Sequence, residues 1–180
     1  SHLDTNASLG GISKNYNTNL LLSPKSEFTV IEADEYDRSF HWLHPYMALI
    51  TSVDPDHLDI YNTEEKYLAS FEKFTELIEP EGALVMKYGI LLQPKVKKDV
   101  RIYTYSIEKG DFHAEKIKVG NGEIHFNLVT PKQTIDNINL GVPLYINIEN
   151  AIGAMAIAWL NGVTPEELRN ALSTFQGAKR

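Results

Sequence analysis

The sequence predicts an α/β fold: a mainly parallel sheet flanked by helices, with a small antiparallel three-stranded meander set beside it. Two observations carry this. Two short apolar runs, a helical stretch and a third apolar run follow one another with short connections, the alternation expected of a parallel sheet covered by helices. From Arg101 to Leu140 the texture changes to polar–apolar alternation, as in half-exposed antiparallel strands.

In chain order, Phe28 to Ala33 and Tyr46 to Val53 are rich in β-branched residues and read as buried strands, each ending in an acidic turn. Between a cap at Asn62 or Thr63 and Pro80, the residues Tyr67, Phe71, Phe74 and Ile78 recur at helical spacing. Glu64 and Glu65 occupy the first turn, where the macrodipole favours negative charge. Ala83 to Met86 is the next strand. Phe112 to Val119, Glu123 to Thr130 and Thr134 to Leu140 form the meander, with Gly120-Asn121-Gly122 as a tight turn. Asn147 to Leu160, rich in Ala and Gly, reads as a helix packed closely on the sheet. Thr164-Pro165-Glu166-Glu167 is a capping box with proline at the first helical position. Leu168, Leu172 and Phe175 mark the buried face of that last helix, and Gly177 stops it. The expected organisation is one domain over residues 1–180, with residues 101–140 as an antiparallel subregion within it.

With 180 residues and 43% apolar composition, the chain can bury one sizeable core. Seventeen basic against 24 acidic residues leave a net charge of −7, which gives no electrostatic footprint for nucleic acid. The absence of cysteine excludes a disulfide frame and a thiolate metal site. The most apolar stretch, Ala151 to Leu160, is shorter than the roughly 20 residues that span a bilayer, and no signal peptide is visible, so a cytoplasmic location is expected.

Four carboxylates fall within six residues in Glu32-Ala-Asp34-Glu35-Tyr-Asp37, and a second apolar run leads to Asp54-Pro-Asp56-His57-Leu-Asp59. Such crowding of like charge is relieved by water, by basic side chains or by a hard divalent cation with oxygen ligands. Ligands of open parallel sheets collect at the carboxyl ends of strands, where this reading places Glu32 and His57. Strand alternation sets Glu32 and Asp34 on one face and Ile31 and Ala33 on the other. The plainer alternative is a solvated turn in which Asp34 or Asp37 caps the backbone, with His57 a partly exposed hydrogen-bonding residue. The other five histidines show no ligand spacing. Asn147 and Asn150, three apart at a helix start, offer one cap and one group turned to a ligand. No G-x-x-x-x-G-K-[ST] loop occurs in the chain.

At these residues the chain resembles the central domain of the Mur ligases. The matching segments are Glu32-Ala-Asp-Glu-Tyr-Asp37 with Ser39-Phe40, Ile50-Thr51 leading to Asp56-His57-Leu58-Asp59, Asn147-Ile-Glu-Asn150-Ala151, and Phe175-Gln176-Gly177, in the family's order and spacing. The resemblance implies a P-loop-type central domain lacking its P-loop, cut from an ATP-dependent amide ligase of peptidoglycan precursor synthesis whose UDP-binding and C-terminal domains lie outside this sequence. The members it most resembles join L-alanine to UDP-N-acetylmuramate through an acyl phosphate, with ATP as co-substrate and Mg2+ as cofactor. It implies Glu32 and His57 as catalytic magnesium ligands and Asn147 and Asn150 as nucleotide-binding residues. Asp34, Glu35 and Asp37 are expected to order the loop. Ile146 stands where the family often has histidine, and Ser52 where it usually has asparagine. The fragment alone is expected to be inactive. Three other readings stand beside this one: a ligase recycling a preformed tripeptide onto the same sugar nucleotide, a metal-dependent phosphohydrolase using Asp54-x-Asp56-His57-x-Asp59, and a non-enzymatic binding or scaffold module.

Overall fold

The computed structural model describes residues 3–55 and 58–179, Leu58 by its backbone alone. It is an α/β fold built on three sheets. Strand β1 (Thr5–Ser13) is the centre of the first, paired antiparallel with β2 (Thr18–Leu21), parallel with β3 (Phe28–Ile31), and antiparallel with the two-residue strand that ends the described chain, β10 (Ala178–Lys179). This corrects the expectation of a buried strand over Phe28 to Ala33. The strand stops at Ile31, with Thr29 to Ile31 exposed, and it joins β1 instead of the strand that follows it. β-branched residues favour extended backbone, but they do not choose the neighbour or supply the cover, and the helices here pack mainly on the other two sheets.

The second sheet is wholly parallel, in the order β4 (Met47–Ile50), β5 (Ala83–Lys87), β6 (Arg101–Tyr105). Both faces of β5 are buried, which is why its sequence is a continuous apolar run. Leu84 and Met86, with Ala48 and Ile50, face one core, while Val85 and Leu49 face another. Between β4 and β5 lie the single turn α1 (Leu58–Tyr61) and the helix α2 (Glu64–Glu76). Thr63 caps α2, its hydroxyl accepting the Lys66 N–H at 3.3 Å, and Tyr67, Phe71 and Phe74 bury against the sheet, followed by Ile78. Arg101–Tyr105, grouped in the sequence with the meander, pairs with β5.

The meander comprises β7 (His113–Gly120), β8 (Glu123–Val129) and β9 (Thr134–Asn139). Asn121 (φ 53°) and Gly122 (φ 77°) form the two-residue turn between the first two, both in the left-handed region that a type I′ turn needs. Ile124, Phe126, Leu128, Ile135 and Ile138 share one apolar core with helix α3 (Ile146–Leu160), which covers the second side of the parallel sheet. Gly153 is the point of closest approach: a Cβ there would lie 3.0 Å from the Tyr105 ring and 3.3 Å from Leu49. Replacing Gly153 with alanine adds about 1 kcal/mol of helix propensity but overpacks this contact at a cost of about 1–3 kcal/mol. The expected result is a net loss of stability in urea denaturation, and a raised midpoint would contradict the contact.

The capping box of α4 (Pro165–Thr174) forms as its sequence predicts, the Thr164 hydroxyl accepting the Glu167 N–H at 3.3 Å and the Glu167 carboxylate accepting the Thr164 N–H at 3.0 Å. Leu168 is buried and Leu172 packs on the same core. Phe175 departs from the expected buried face. The helix ends at Thr174, Phe175 takes up extended backbone (φ −66°, ψ 127°), and its side chain is 45% exposed because it no longer follows the 3.6-residue period. Among the described residues, no helix is long and apolar enough to cross a membrane.

Candidate functional site at the carboxyl ends of the strands

The acidic run after β3 is ordered chiefly by its own backbone. Asp34 Oδ1 accepts the Tyr36 N–H at 2.9 Å, Asp37 Oδ1 accepts the Ser39 N–H at 2.8 Å, and the Asp34 carbonyl accepts the Phe40 N–H at 3.1 Å. The hydroxyl and backbone N–H of Ser39 hold the Asp37 carboxyl below its ordinary range. These are Asx-type turns, which spend two of the four carboxylates on local structure. Arg38, in the left-handed region at φ 61°, lays its guanidinium over the Tyr61 ring at 5.0 Å, and the buried Tyr61 hydroxyl donates to the Glu35 carbonyl. The loop is thereby fastened to α1, just after the second acidic segment.

That segment begins where β4 ends. The Ser52 hydroxyl donates to Asp54 Oδ2 at 2.7 Å and accepts the Asp54 N–H at 2.9 Å, closing a compact turn over the buried Val53. Two cavities flank this turn. One, of about 400 Å³, lies between it and the first acidic loop, with Ala33, Glu35, Thr51, Ser52 and Asp54 at the edge above Phe40. The other, of about 330 Å³, lies between it and the end of β5, lined by Glu64, Lys87 and Tyr88. The two acidic segments therefore meet at the carboxyl end of the parallel sheet, the position where open α/β sheets receive ligands.

Glu32 stands apart from both cavities. It follows β3 directly, its N–H donates to the Ser8 carbonyl at 3.1 Å, and its Oε2 accepts the Gly10 N–H at 2.8 Å. Its Oε1 makes no hydrogen bond among the described residues. His57 lies outside the described residues, so the expected pairing of Glu32 with His57 concerns a residue the structure does not describe. Among the described residues no group of three His, Asp or Glu side chains could hold a metal ion. One exposed carboxylate with an uncommitted oxygen does fit Mg2+, a cation usually held by one or two carboxylates and completed by water and substrate phosphates.

Asn147 and Asn150 sit in the first turn and a half of α3, but neither caps it. The helix starts at Ile146, its cap position is Tyr145 without a side-chain bond, and Asn147 Nδ2 instead donates to the Val142 carbonyl at 3.2 Å. Asn150 is exposed. Between them, Glu149 pairs with Lys87 Nζ at 2.8 Å, tying the start of α3 to the end of β5. Tyr105, buried beneath, has its phenol pushed well above its ordinary pKa by burial and then by the Glu149 charge. Sequence reasoning missed this ion pair, since opposite charges 62 residues apart carry no local signal.

Comparison with known proteins agrees with this arrangement. A family model described as the Mur ligase middle domain matches residues 5–158. The chain is 60% identical over 180 residues to a UDP-N-acetylmuramate–L-alanine ligase of Phocaeicola vulgatus and 54% identical over 182 residues to that of Porphyromonas gingivalis, in each case along its whole length. It spans about two fifths of the length of these relatives, 39% and 40%. Among solved structures, UDP-N-acetylmuramate–alanine ligase MurC of Thermotoga maritima has the same fold, with a TM-score of 0.82 at 23% identity over 99% of this chain and 40% of that one. The UDP-N-acetylmuramate:L-alanyl-gamma-D-glutamyl-meso-diaminopimelate ligase of Neisseria meningitides has a TM-score of 0.79 at 21% identity, over 99% of this chain and 59% of that one. MurF of Thermotoga maritima, solved in complex with ADP, gives 0.71 at 15%, over 98% and 43%. On the family match and on alignments that run the whole length of this chain, the chain belongs to the Mur ligase family, matching its middle domain.

Proposed function

We propose that the protein carrying this chain is an ATP-dependent, cytoplasmic ligase that joins L-alanine to the lactyl carboxylate of UDP-N-acetylmuramate, an amide-forming step of peptidoglycan precursor synthesis. The observation that carries this reading is the 60% identity, over every residue of this chain, to a protein named for that activity. In this reaction the lactyl carboxylate attacks the γ-phosphorus of ATP and ADP leaves as the bond to the β-phosphate breaks, after which the amino group of alanine attacks the acyl phosphate, loses a proton and displaces inorganic phosphate. Mg2+, when bound, neutralises charge on the phosphate oxygens as they rearrange.

Within that scheme Glu32 and His57 hold the cation. The exposed Asn150 reaches the nucleotide, and Asn147 shapes the approach to it by holding the Val142 carbonyl. Asp34 and Asp37 keep the acidic loop in place through their backbone bonds. The domain order is a single middle domain in this chain, flanked in the whole protein by a UDP-binding domain and a C-terminal domain. The phosphohydrolase alternative loses its support with the family match, and Asp54 is engaged by Ser52.

The deciding experiment is turnover by the full-length protein, followed by ADP release and product mass, with either L-alanine or a preformed tripeptide as acceptor. Alanine incorporation that depends on UDP-N-acetylmuramate is the expected result, and preference for the tripeptide overturns the alanine assignment. The 180-residue chain, which contains no phosphate-cradling G-x-x-x-x-G-K-[ST] loop, is expected to form no product on its own. Ligation by it would refute the division of labour between the domains.

A further inference from the structure

We propose that Gly10 is a positioning residue for the metal-binding carboxylate, and that its backbone N–H and its missing side chain together fix the direction in which Glu32 presents its second oxygen. This rests on the reading of Glu32 as a magnesium ligand. β3 runs parallel to β1 with Thr5 to Ser8 opposite Phe28 to Ile31, so the next residue, Glu32, leaves the strand beside the middle of β1. There its side chain folds back onto β1: Oε2 accepts the Gly10 N–H at 2.8 Å. A Cβ on Gly10 would stand 2.9 Å from Oε1 and 3.1 Å from both Oε2 and the carboxyl carbon, the space the carboxylate occupies.

One N–H donor thus takes one oxygen, and the missing side chain of Gly10 leaves the room in which the other, Oε1, lies with no hydrogen bond among the described residues. A donor to the oxygen not used by the metal orients a ligating carboxylate and holds it in one rotamer, and removal of such partners typically costs about 10–100-fold in metal affinity or activity. The obstacle an alanine meets here is the far end of a flexible side chain and not backbone. The sheet can therefore keep its geometry while the carboxylate moves, which separates a positioning role from a structural one.

The test is Mn2+ binding, read by electron paramagnetic resonance on the full-length protein in the presence of ATP, for the native protein, Gly10→Ala and Glu32→Ala, with the thermal midpoint of each. Gly10→Ala is expected to weaken Mn2+ binding about 10-fold or more at an unchanged midpoint. Unaltered binding in Gly10→Ala alongside weakened binding in Glu32→Ala overturns this inference alone. Unaltered binding in both overturns the assignment of Glu32 beneath it. Weakened binding with a lowered midpoint also overturns the inference, because it makes Gly10 a requirement of the sheet and not of the carboxylate.

Discussion

If the proposed function holds, Glu32→Ala in the full-length protein is expected to lower kcat by at least about 100-fold, above the range that loss of an outer-sphere partner of a metal ligand already produces, with little change in thermal stability. The asymmetry follows from where Glu32 sits. Its side chain is exposed and its Oε2 bond to the Gly10 N–H is a surface hydrogen bond, so removing it leaves no buried group unsatisfied. In the proposed mechanism, however, its carboxylate offsets the charge of a cation that is needed only while phosphoryl oxygens rearrange, so the loss falls on the chemical step. Steady-state kinetics at saturating Mg2+ and ATP, paired with a thermal melt, measure both halves. Turnover within a few-fold of the native enzyme would show that the carboxylate is no ligand, and a large fall in midpoint would show that its role is structural.

The second large effect is expected in the core. Phe126 is 1% exposed at the centre of the meander, in the same apolar cluster as Ile148, Ile152 and Met155 of α3. Phe126→Ala removes most of an aromatic side chain from a packed interior, a change that costs about 3–5 kcal/mol when the surroundings relax only partly. Measured against a typical total of about 5–15 kcal/mol, that is a large part of the stability of a domain. Urea denaturation should show a much lower midpoint at an unchanged slope, and a loss below about 1 kcal/mol would mean that Phe126 is not part of a packed interior.

How far the sequence could be read varied with the range of the interaction. The start of α2 was legible to within one residue, at Asn62 or Thr63, and the tight turn within Gly120-Asn121-Gly122 and the capping box at Thr164 were legible too, because each is closed by hydrogen bonds or backbone angles within a few residues. The close packing of α3 was legible as well, since the run of small residues around Gly153 serves an approach that a Cβ would obstruct. The acidic loop was half legible. Asp34 and Asp37 do cap the backbone, the plainer of the two readings of that run. The exposure of β3, its pairing with β1, and the exposure of Phe175 were not legible, for each depends on which distant element lies alongside.

Taken alone, the sequence determined the α/β class, the order of most elements and the family resemblance, because periodicity, caps, turns and motif lettering are properties of neighbouring residues. Only the tertiary structure decided that Glu32 rests on Gly10, 22 residues away, and that Lys87 meets Glu149 at the rim of the parallel sheet. These pairs are made by strand register and helix docking, which arise from the whole apolar core settling at once, and no local pattern of residues encodes them.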